Sequence, residues 1–132
     1  MYTELHYNVE LKSDVPAEVL AALRTMLYDT LDAEGNPCHE SKPDHPLFKT
    51  DRWQVMLRMD SYYFSADTHS TLRFDKIANQ WFLCIRCNLK NYTGEIEAFI
   101  DWIDPYVDAF RGNFLGFYRY EETEEPTLIY KR

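Results

Sequence analysis

The stretch Gln80–Lys90, QWFLCIRCNLK, decides the fold that this chain is expected to adopt. Its even positions are mostly polar, and its odd positions are the apolar or small residues Trp81, Leu83, Ile85, Cys87 and Leu89. Because successive side chains of a strand point to opposite faces, the alternation predicts a strand with one buried face. Such a strand belongs to a sheet that is covered on one side only.

Alternation and turn residues predict the other strands of this sheet. These strands cover Tyr2–Leu11, Tyr62–Ser65, the first arm of a hairpin over 70–90, Leu115–Glu121 and Thr127–Lys131. The segment Arg52–Met59 fits either a strand or a helical turn, since a run this short satisfies both periodicities.

Apolar residues at helical spacing predict two helices. The first covers Pro16–Asp29, and the second begins at the capping residue Thr93 and stops at Gly112. Pro105 should kink or interrupt the second helix, because proline removes a backbone donor. The acidic residues of this helix are expected on its exposed side.

The elements follow the order β-α-β-β-β-α-β-β, which predicts a single two-layer α+β domain over 1–132. Its sheet of five to six strands should be mainly antiparallel, with both helices on one face. A long irregular loop at about 30–51 should contain one helical turn near its end.

Composition narrows the classes of function. The formal net charge of −8 comes from acids concentrated in 95–108 and 121–125, and no cluster of Lys and Arg suggests nucleic-acid binding. No apolar run is long enough to span a membrane, the first residues do not resemble a signal peptide, and three Cys fit reduced thiols. A cytoplasmic protein is therefore expected, and the acidic patches suit either solubility or a basic protein partner.

The most tempting chemical motif is Cys84-Ile-Arg-Cys87. Three steps along a strand place the two thiols on opposite faces, so we expect neither a metal site nor a redox pair. Cys38-His39 with His45 has suitable ligand types but matches no known metal-ligand spacing. Since neither a phosphate-binding glycine loop nor a nucleophile elbow is present, no catalytic residue or cofactor is assigned, and enzymatic activity is disfavoured.

The sheet face that the helices leave open is the remaining candidate site. Arg, Tyr and Asn are typical of recognition surfaces. The candidate ligand- or partner-binding residues are His6, Asn8, Arg73, Arg86, Asn88, Tyr118 and Tyr120.

Three hypotheses follow from this surface. The first is a non-enzymatic protein-binding module, of an immunity-protein or antitoxin-like kind. The alternative is a binding protein or enzyme for a small anionic ligand, with its site between the open face and the 30–51 loop. In that site Arg73 and Arg86 would hold the anion, and His6 would act as acid or base. The third is a homodimer that pairs through the open face.

Overall fold

The computed structural model describes residues 1–28 and 43–132, and all of their strands form one antiparallel sheet. The strands are β1 (Thr3–Leu11), β2 (Thr71–Asp75), β3 (Gln80–Leu89), β4 (Phe114–Tyr120) and β5 (Thr127–Tyr130). Their order in the sheet is β2-β3-β1-β4-β5, and every neighbouring pair is antiparallel. The predicted α+β class is confirmed, with five strands.

Two helices pack on one face of this sheet: α1 covers Ala17–Tyr28 and α2 covers Glu95–Ile103. Their apolar residues share one hydrophobic core with the inward side chains of β1, which are Leu5, Tyr7, Val9 and Leu11. The prediction for the first helix agrees with α1 to within one residue at each end. Among the described residues, no helix has the length and apolarity needed to cross a membrane.

The second helix is shorter than predicted. It ends at Ile103, and a 3-10 turn at Asp104–Tyr106 contains Pro105, which has no N–H to continue the helix. Val107 then forms a bridge with Leu11 at the end of β1. The helix is capped by Gly94, whose φ is 76°, and not by Thr93 as predicted.

Two acids of α2 and its 3-10 extension are buried, against expectation. Glu95 accepts hydrogen bonds from the backbone N–H and the hydroxyl of Thr93. Asp104 accepts from Lys131 Nζ at 3.0 Å and from the Arg132 N–H at 3.3 Å. These carboxylates therefore serve the fold, and the exposed acidity of this segment is smaller than its composition indicates.

The segment between the helical turn and β2 consists of turns and bends and contains no strand. Residues 51–58 form turns, with Trp53, Met56 and Leu57 buried, so the segment that fitted either a strand or a helical turn is not a strand. Tyr62–Ser65 also forms turns and bends, so the strand predicted there is wrong. The reason is that Met59 and His69 already hydrogen-bond the edge of β3, leaving the residues between them no strand to pair with.

The long loop predicted at about 30–51 is described only in part. Its one expected helical turn is present as a 3-10 helix at Pro46–Lys49. Residues 29–42, which include Cys38 and His39, lie outside the described residues.

Candidate functional site

The sheet face opposite α1 and α2, called here the outer face, is defined by the pairing of the strands. His6 lies opposite Arg86 on β3 and Phe117 on β4, while Glu4 lies opposite Asn88 and Arg119. Side chains directly opposite each other in a sheet share a face. The outer face therefore carries a row of charged and aromatic side chains across β3, β1 and β4.

Five of the candidate residues lie on the outer face, as their strand parity predicts. They are His6, Asn8, Arg73, Arg86 and Asn88. The placement of Tyr118 and Tyr120 there is wrong, because these residues lie opposite Leu5 and Thr3 on the helix-facing side.

A β-bulge explains this error. The register shifts between Phe114 and Gly116, so Leu115 is an extra residue whose side chain is buried in the core. Beyond the bulge the parity of β4 is inverted, and Phe117 and Arg119 reach the outer face instead of the two tyrosines. A bulge leaves little trace in hydrophobic alternation, although Gly116 within a strand is the type of residue that often marks one.

The segment 60–68, called here the cover segment, lies over part of the outer face. Asp60 Oδ1 accepts from Asn88 Nδ2 at 2.9 Å, and the Ala66 carbonyl accepts from an Arg86 Nη at 3.0 Å. The Tyr63 hydroxyl reaches across to the Glu121 carbonyl at 2.8 Å. Asn88 is consequently fully buried, and it helps to hold the cover segment on the sheet.

Glu4 connects the charged groups under the cover segment. Its carboxylate lies 3.1 Å from an Arg119 Nη and 3.3 Å from His6 Nε2. Burial and the nearby Arg86 charge lower the pKa of His6, although Glu4 opposes this effect. His6 is therefore mainly a neutral imidazole at neutral pH.

The two arginines proposed to hold an anion do not converge. Arg73 lies opposite Phe82, which precedes Arg86 by four residues along β3. At the spacing of residues in a strand, positions 82 and 86 are about 13 Å apart. Its guanidinium lies over the Phe82 ring at 4.6 Å and 3.8 Å from Asp75. Arg86 is already hydrogen-bonded to Asn88 and Ala66. The structure thus brings His6 and Arg86 together but leaves Arg73 apart.

The outer apolar patch, composed of Phe114, Phe117, Leu128 and Tyr130, lies on the part of the outer face beyond the cover segment. Phe114 pairs with Tyr130, and Phe117 pairs with Leu128, so the four side chains form two adjacent cross-strand pairs. Phe114, Leu128 and Tyr130 are 58%, 48% and 47% exposed. Sequence reasoning missed this patch, because the bulge conceals the parity of β4.

Acidic residues flank the patch at both ends. Glu10 and Asp108 are exposed beyond the Phe114 end and are joined by a backbone hydrogen bond of 2.8 Å. The turn between β4 and β5 carries the exposed Glu122, Glu124 and Glu125 at the other end. Within 1–28 and 43–132, none of the four glutamates among these residues forms an ion pair.

The described members of the cysteine and histidine motifs, Cys84, Cys87 and His45, lie apart from one another. Cys87 lies opposite Leu5 in the core, where burial raises its pKa to about 12, while Cys84 lies opposite Asn8 on the outer face. His45 Nδ1 accepts from the Leu47 N–H at 3.1 Å, and Nε2 donates to Asp101 at 2.9 Å. Among the described residues, no three His, Cys, Asp or Glu side chains are grouped to hold a metal.

The fold therefore defines a two-layer α+β protein with a partly covered, partly aromatic sheet face. Comparison with known proteins finds no matching family, no matching curated protein and no matching solved structure.

Proposed function

We propose that this chain is a non-enzymatic interaction module that binds a basic protein through the outer apolar patch. The observation that carries the proposal is the row of about half-exposed side chains formed by Phe114, Leu128 and Tyr130 on a sheet face that α1 and α2 do not cover. Contiguous exposed apolar side chains bordered by polar residues are typical of protein-binding surfaces.

The charge around the patch indicates the chemistry of the partner. The chain has a formal net charge of −8, and exposed acids lie at both ends of the patch. The nearby Arg119 is neutralised by Glu4, and Lys131 by Asp104. A partner with Lys or Arg around an apolar centre would therefore be steered to this face and held at its rim.

This arrangement would suit a small acidic protein that masks a basic target, as an immunity protein or antitoxin does. We place the interaction in the cytoplasm, because Cys84 and Cys87 are free thiols. The alternative, an anionic-ligand protein or enzyme, has less support, since Arg73 stands apart and Arg86 is occupied within the fold.

A charge substitution in the patch tests the proposal. Leu128→Asp places a carboxylate in the patch, and Ile77→Asp adds the same charge at a fully exposed position in the β2–β3 turn. Proteins captured from the source lysate are purified, and their affinities for wild type and both variants are compared. We expect a basic protein whose affinity falls at least about tenfold with Leu128→Asp, as for a central interface residue, and not with Ile77→Asp.

Salt gives a second readout. Raising the ionic strength from about 0.01 M to about 0.1 M shortens the Debye length from about 30 Å to about 10 Å and should slow association. The proposal fails if every purified partner binds Leu128→Asp as well as it binds wild type. It also fails if no basic protein binds, or if light scattering shows a dimer that Leu128→Asp dissociates.

A further inference from the structure

The last strand of the sheet, β5, presents a free edge. Among the described residues, no strand pairs with the side of β5 that is turned away from β4. Lys131, which follows β5, is directed toward β4, because it forms backbone hydrogen bonds of 2.8 Å with Gly112 and Asn113. Since backbone directions alternate along an antiparallel strand, Leu128 and Tyr130 direct their N–H and C=O groups toward the free edge.

The opposite edge of the sheet, at β2, is closed by a side chain. The Tyr28 hydroxyl at the end of α1 accepts from the Leu72 N–H at 2.9 Å and donates to the Leu72 carbonyl at 3.2 Å. One phenol therefore occupies both edge-directed groups of Leu72 and hinders pairing there. Within 1–28 and 43–132, no group forms equivalent bonds with Leu128 or Tyr130 on the free edge of β5.

A groove of about 240 Å³ lies along this free edge, between β5 and α2. All four residues of β5 line it, together with Tyr118 of β4, Glu97 and Ile100 of α2, and Arg132. An edge strand beside a groove suits β-augmentation, in which a peptide pairs with the edge and places every second side chain in the groove. The groove is smaller than the ~300–1,000 Å³ typical of sites for drug-sized molecules, which favours a narrow occupant.

The turn before β5 is acidic even when the neighbouring cations are counted. Its four glutamates are Glu121, Glu122, Glu124 and Glu125. Arg119 reaches this turn, but Glu4 at 3.1 Å matches its charge. The Met1 ammonium and the Arg52 guanidinium both contact Tyr92, and together they can neutralise only two of the four glutamates. The turn therefore keeps an excess of negative charge.

The other end of β5 does not share this excess. Lys131 and Arg132 are each paired with an aspartate there, and the exposed Arg111 precedes the residue that bonds the Lys131 carbonyl. Glu97 in the groove has the uncharged Asn91 amide as its hydrogen-bond partner, at 3.2 Å. A strand added to β5 thus meets complementary charge if its basic residues lie at the end beside the acidic turn.

We propose that the basic partner binds by adding an extended segment antiparallel to β5, with lysine or arginine at the C-terminal end of that segment. This inference rests on the proposed function, because it names the part of the partner that reaches the outer apolar patch. Leu128 and Tyr130 supply the backbone hydrogen bonds. Alternate side chains of the segment pack beside the outer apolar patch and in the groove along α2.

Two capped peptides of equal composition probe this edge. The first, Val-Thr-Val-Thr-Val-Lys-Lys, places its lysines beside the acidic turn when it pairs antiparallel with β5. The second, Lys-Lys-Val-Thr-Val-Thr-Val, places them at the other end. We expect the first peptide to bind about three- to tenfold more tightly, from two exposed pairs of opposite charge. Chemical-shift titrations by NMR, up to about 5 mM peptide, measure both affinities.

Exchange of single amides with water shows whether the edge is used. With the first peptide at about ten times its Kd, the Leu128 and Tyr130 amides should exchange about tenfold more slowly than in the free protein. The Phe74 amide is the matched control. By the same alternation as Leu72, it is directed away from β3 at the opposite edge, and its exchange rate should not change.

A proline separates the strand edge from the outer apolar patch. Leu128→Pro removes the edge-directed N–H, which an edge strand tolerates, whereas Leu128→Ala shortens the side chain and keeps the N–H. We expect Leu128→Pro to bind the first peptide at least about fivefold more weakly than Leu128→Ala does. Tyr130→Pro and Tyr130→Ala give the same comparison if Leu128→Pro does not fold.

The inference is overturned if the first peptide slows the exchange of neither amide, or if the proline and alanine variants bind it equally. It is also overturned if light scattering shows a dimer that Leu128→Pro dissociates and Leu128→Ala does not, since a second copy then occupies the edge.

Failure of the proposed function gives a different result. If a purified basic partner binds Leu128→Asp more weakly but leaves both edge amides exchanging as in the free protein, only the edge inference fails. If no basic protein binds the chain, the proposed function fails, while slowed exchange of both amides by the first peptide still supports a strand-binding edge at β5.

Discussion

His6 on β1 stacks on Phe117 on β4, with ring centroids 4.3 Å apart and ring planes inclined by 16°. The stack lies at the boundary between the charged part of the outer face and the outer apolar patch. Because the imidazole packs on an aromatic ring while its Nε2 contacts Glu4, its protonation state affects both parts of the face.

The lowered pKa of His6 makes the stability of the fold dependent on pH. In the unfolded chain His6 binds a proton near its ordinary value of 6.5, whereas in the fold burial and Arg86 hold its pKa lower. The unfolded state therefore takes up the proton first, and this contribution to stability is lost as the pH falls below about 6.5. The charged groups facing the ring are Glu4, Arg86 and Arg119.

NMR titration of the His6 imidazole measures this pKa directly, and urea unfolding at pH 5 and pH 7.5 measures its effect on stability. The His6→Gln variant should lose less stability than wild type between the two pH values, because it removes the titrating group. A His6 pKa above 6.5 in the folded protein would contradict the prediction.

Gly116 is required by the close approach of two strands at the bulge. A Cβ built on Gly116 would lie 1.9 Å from the His6 carbonyl oxygen, which is backbone and cannot move aside. Gly116→Ala should therefore destabilise the protein by about 3 kcal/mol or more, at the upper end of overpacking costs.

Gly112→Ala is the matched control for this substitution. A Cβ on Gly112 meets no atom within 4 Å, but its φ of +89° is unfavourable for alanine. The cost there should be only about 1–2 kcal/mol, from backbone strain alone. Urea unfolding of both variants measures the two losses in the free energy of unfolding. If Gly116→Ala loses less than Gly112→Ala, the tight packing at the bulge is refuted.

Hydrophobic alternation predicts those parts of the fold where burial alone decides the conformation. The inward residues of β1 and β3 and the stripe of α1 each bury one face, so a period of two or 3.6 reports their structure. Pro105 likewise marks the end of α2, because a missing N–H is a local property of the chain.

The candidate site is less predictable, because it depends on a β-bulge and on long-range contacts, which leave no periodic pattern in the sequence. The extra residue at Leu115 inverts the parity of β4 and exchanges Tyr118 and Tyr120 for Phe117 and Arg119 on the outer face. The coverage of Asn88 depends on where Asp60 lies, 28 positions earlier in the chain. Such long-range pairing is set by tertiary contacts and not by a local pattern.

Asn88 should be important for holding the cover segment. Its side chain is fully buried, donates to Asp60 at 2.9 Å and accepts from Arg86 at 2.8 Å. Asn88→Ala leaves both partners without this contact and should cost about 1–3 kcal/mol. Asn113→Ala, at an exposed asparagine, should leave the stability nearly unchanged.

Hydrogen exchange distinguishes a local effect from a global one. In Asn88→Ala the amides of 60–68 should exchange faster than in wild type. The amides of β1 and β3 should exchange faster only as far as the measured fall in the free energy of unfolding requires. If the cover segment exchanges at its wild-type rate, Asn88 does not hold it on the sheet.

The two thiols of β3 should differ sharply in reactivity. Cys87 is fully buried with its pKa raised to about 12, so almost no thiolate is present and no reagent can reach it. Cys84 is partly exposed on the outer face.

In a Cys38→Ser background, where only these two of the three cysteines remain, iodoacetamide should label the native protein at Cys84. It should spare Cys87 until the protein is unfolded in urea. Peptide mass spectrometry assigns each label. Equal labelling of the two cysteines under native conditions would show that Cys87 is accessible, and would contradict the strand parity on which the outer face is built.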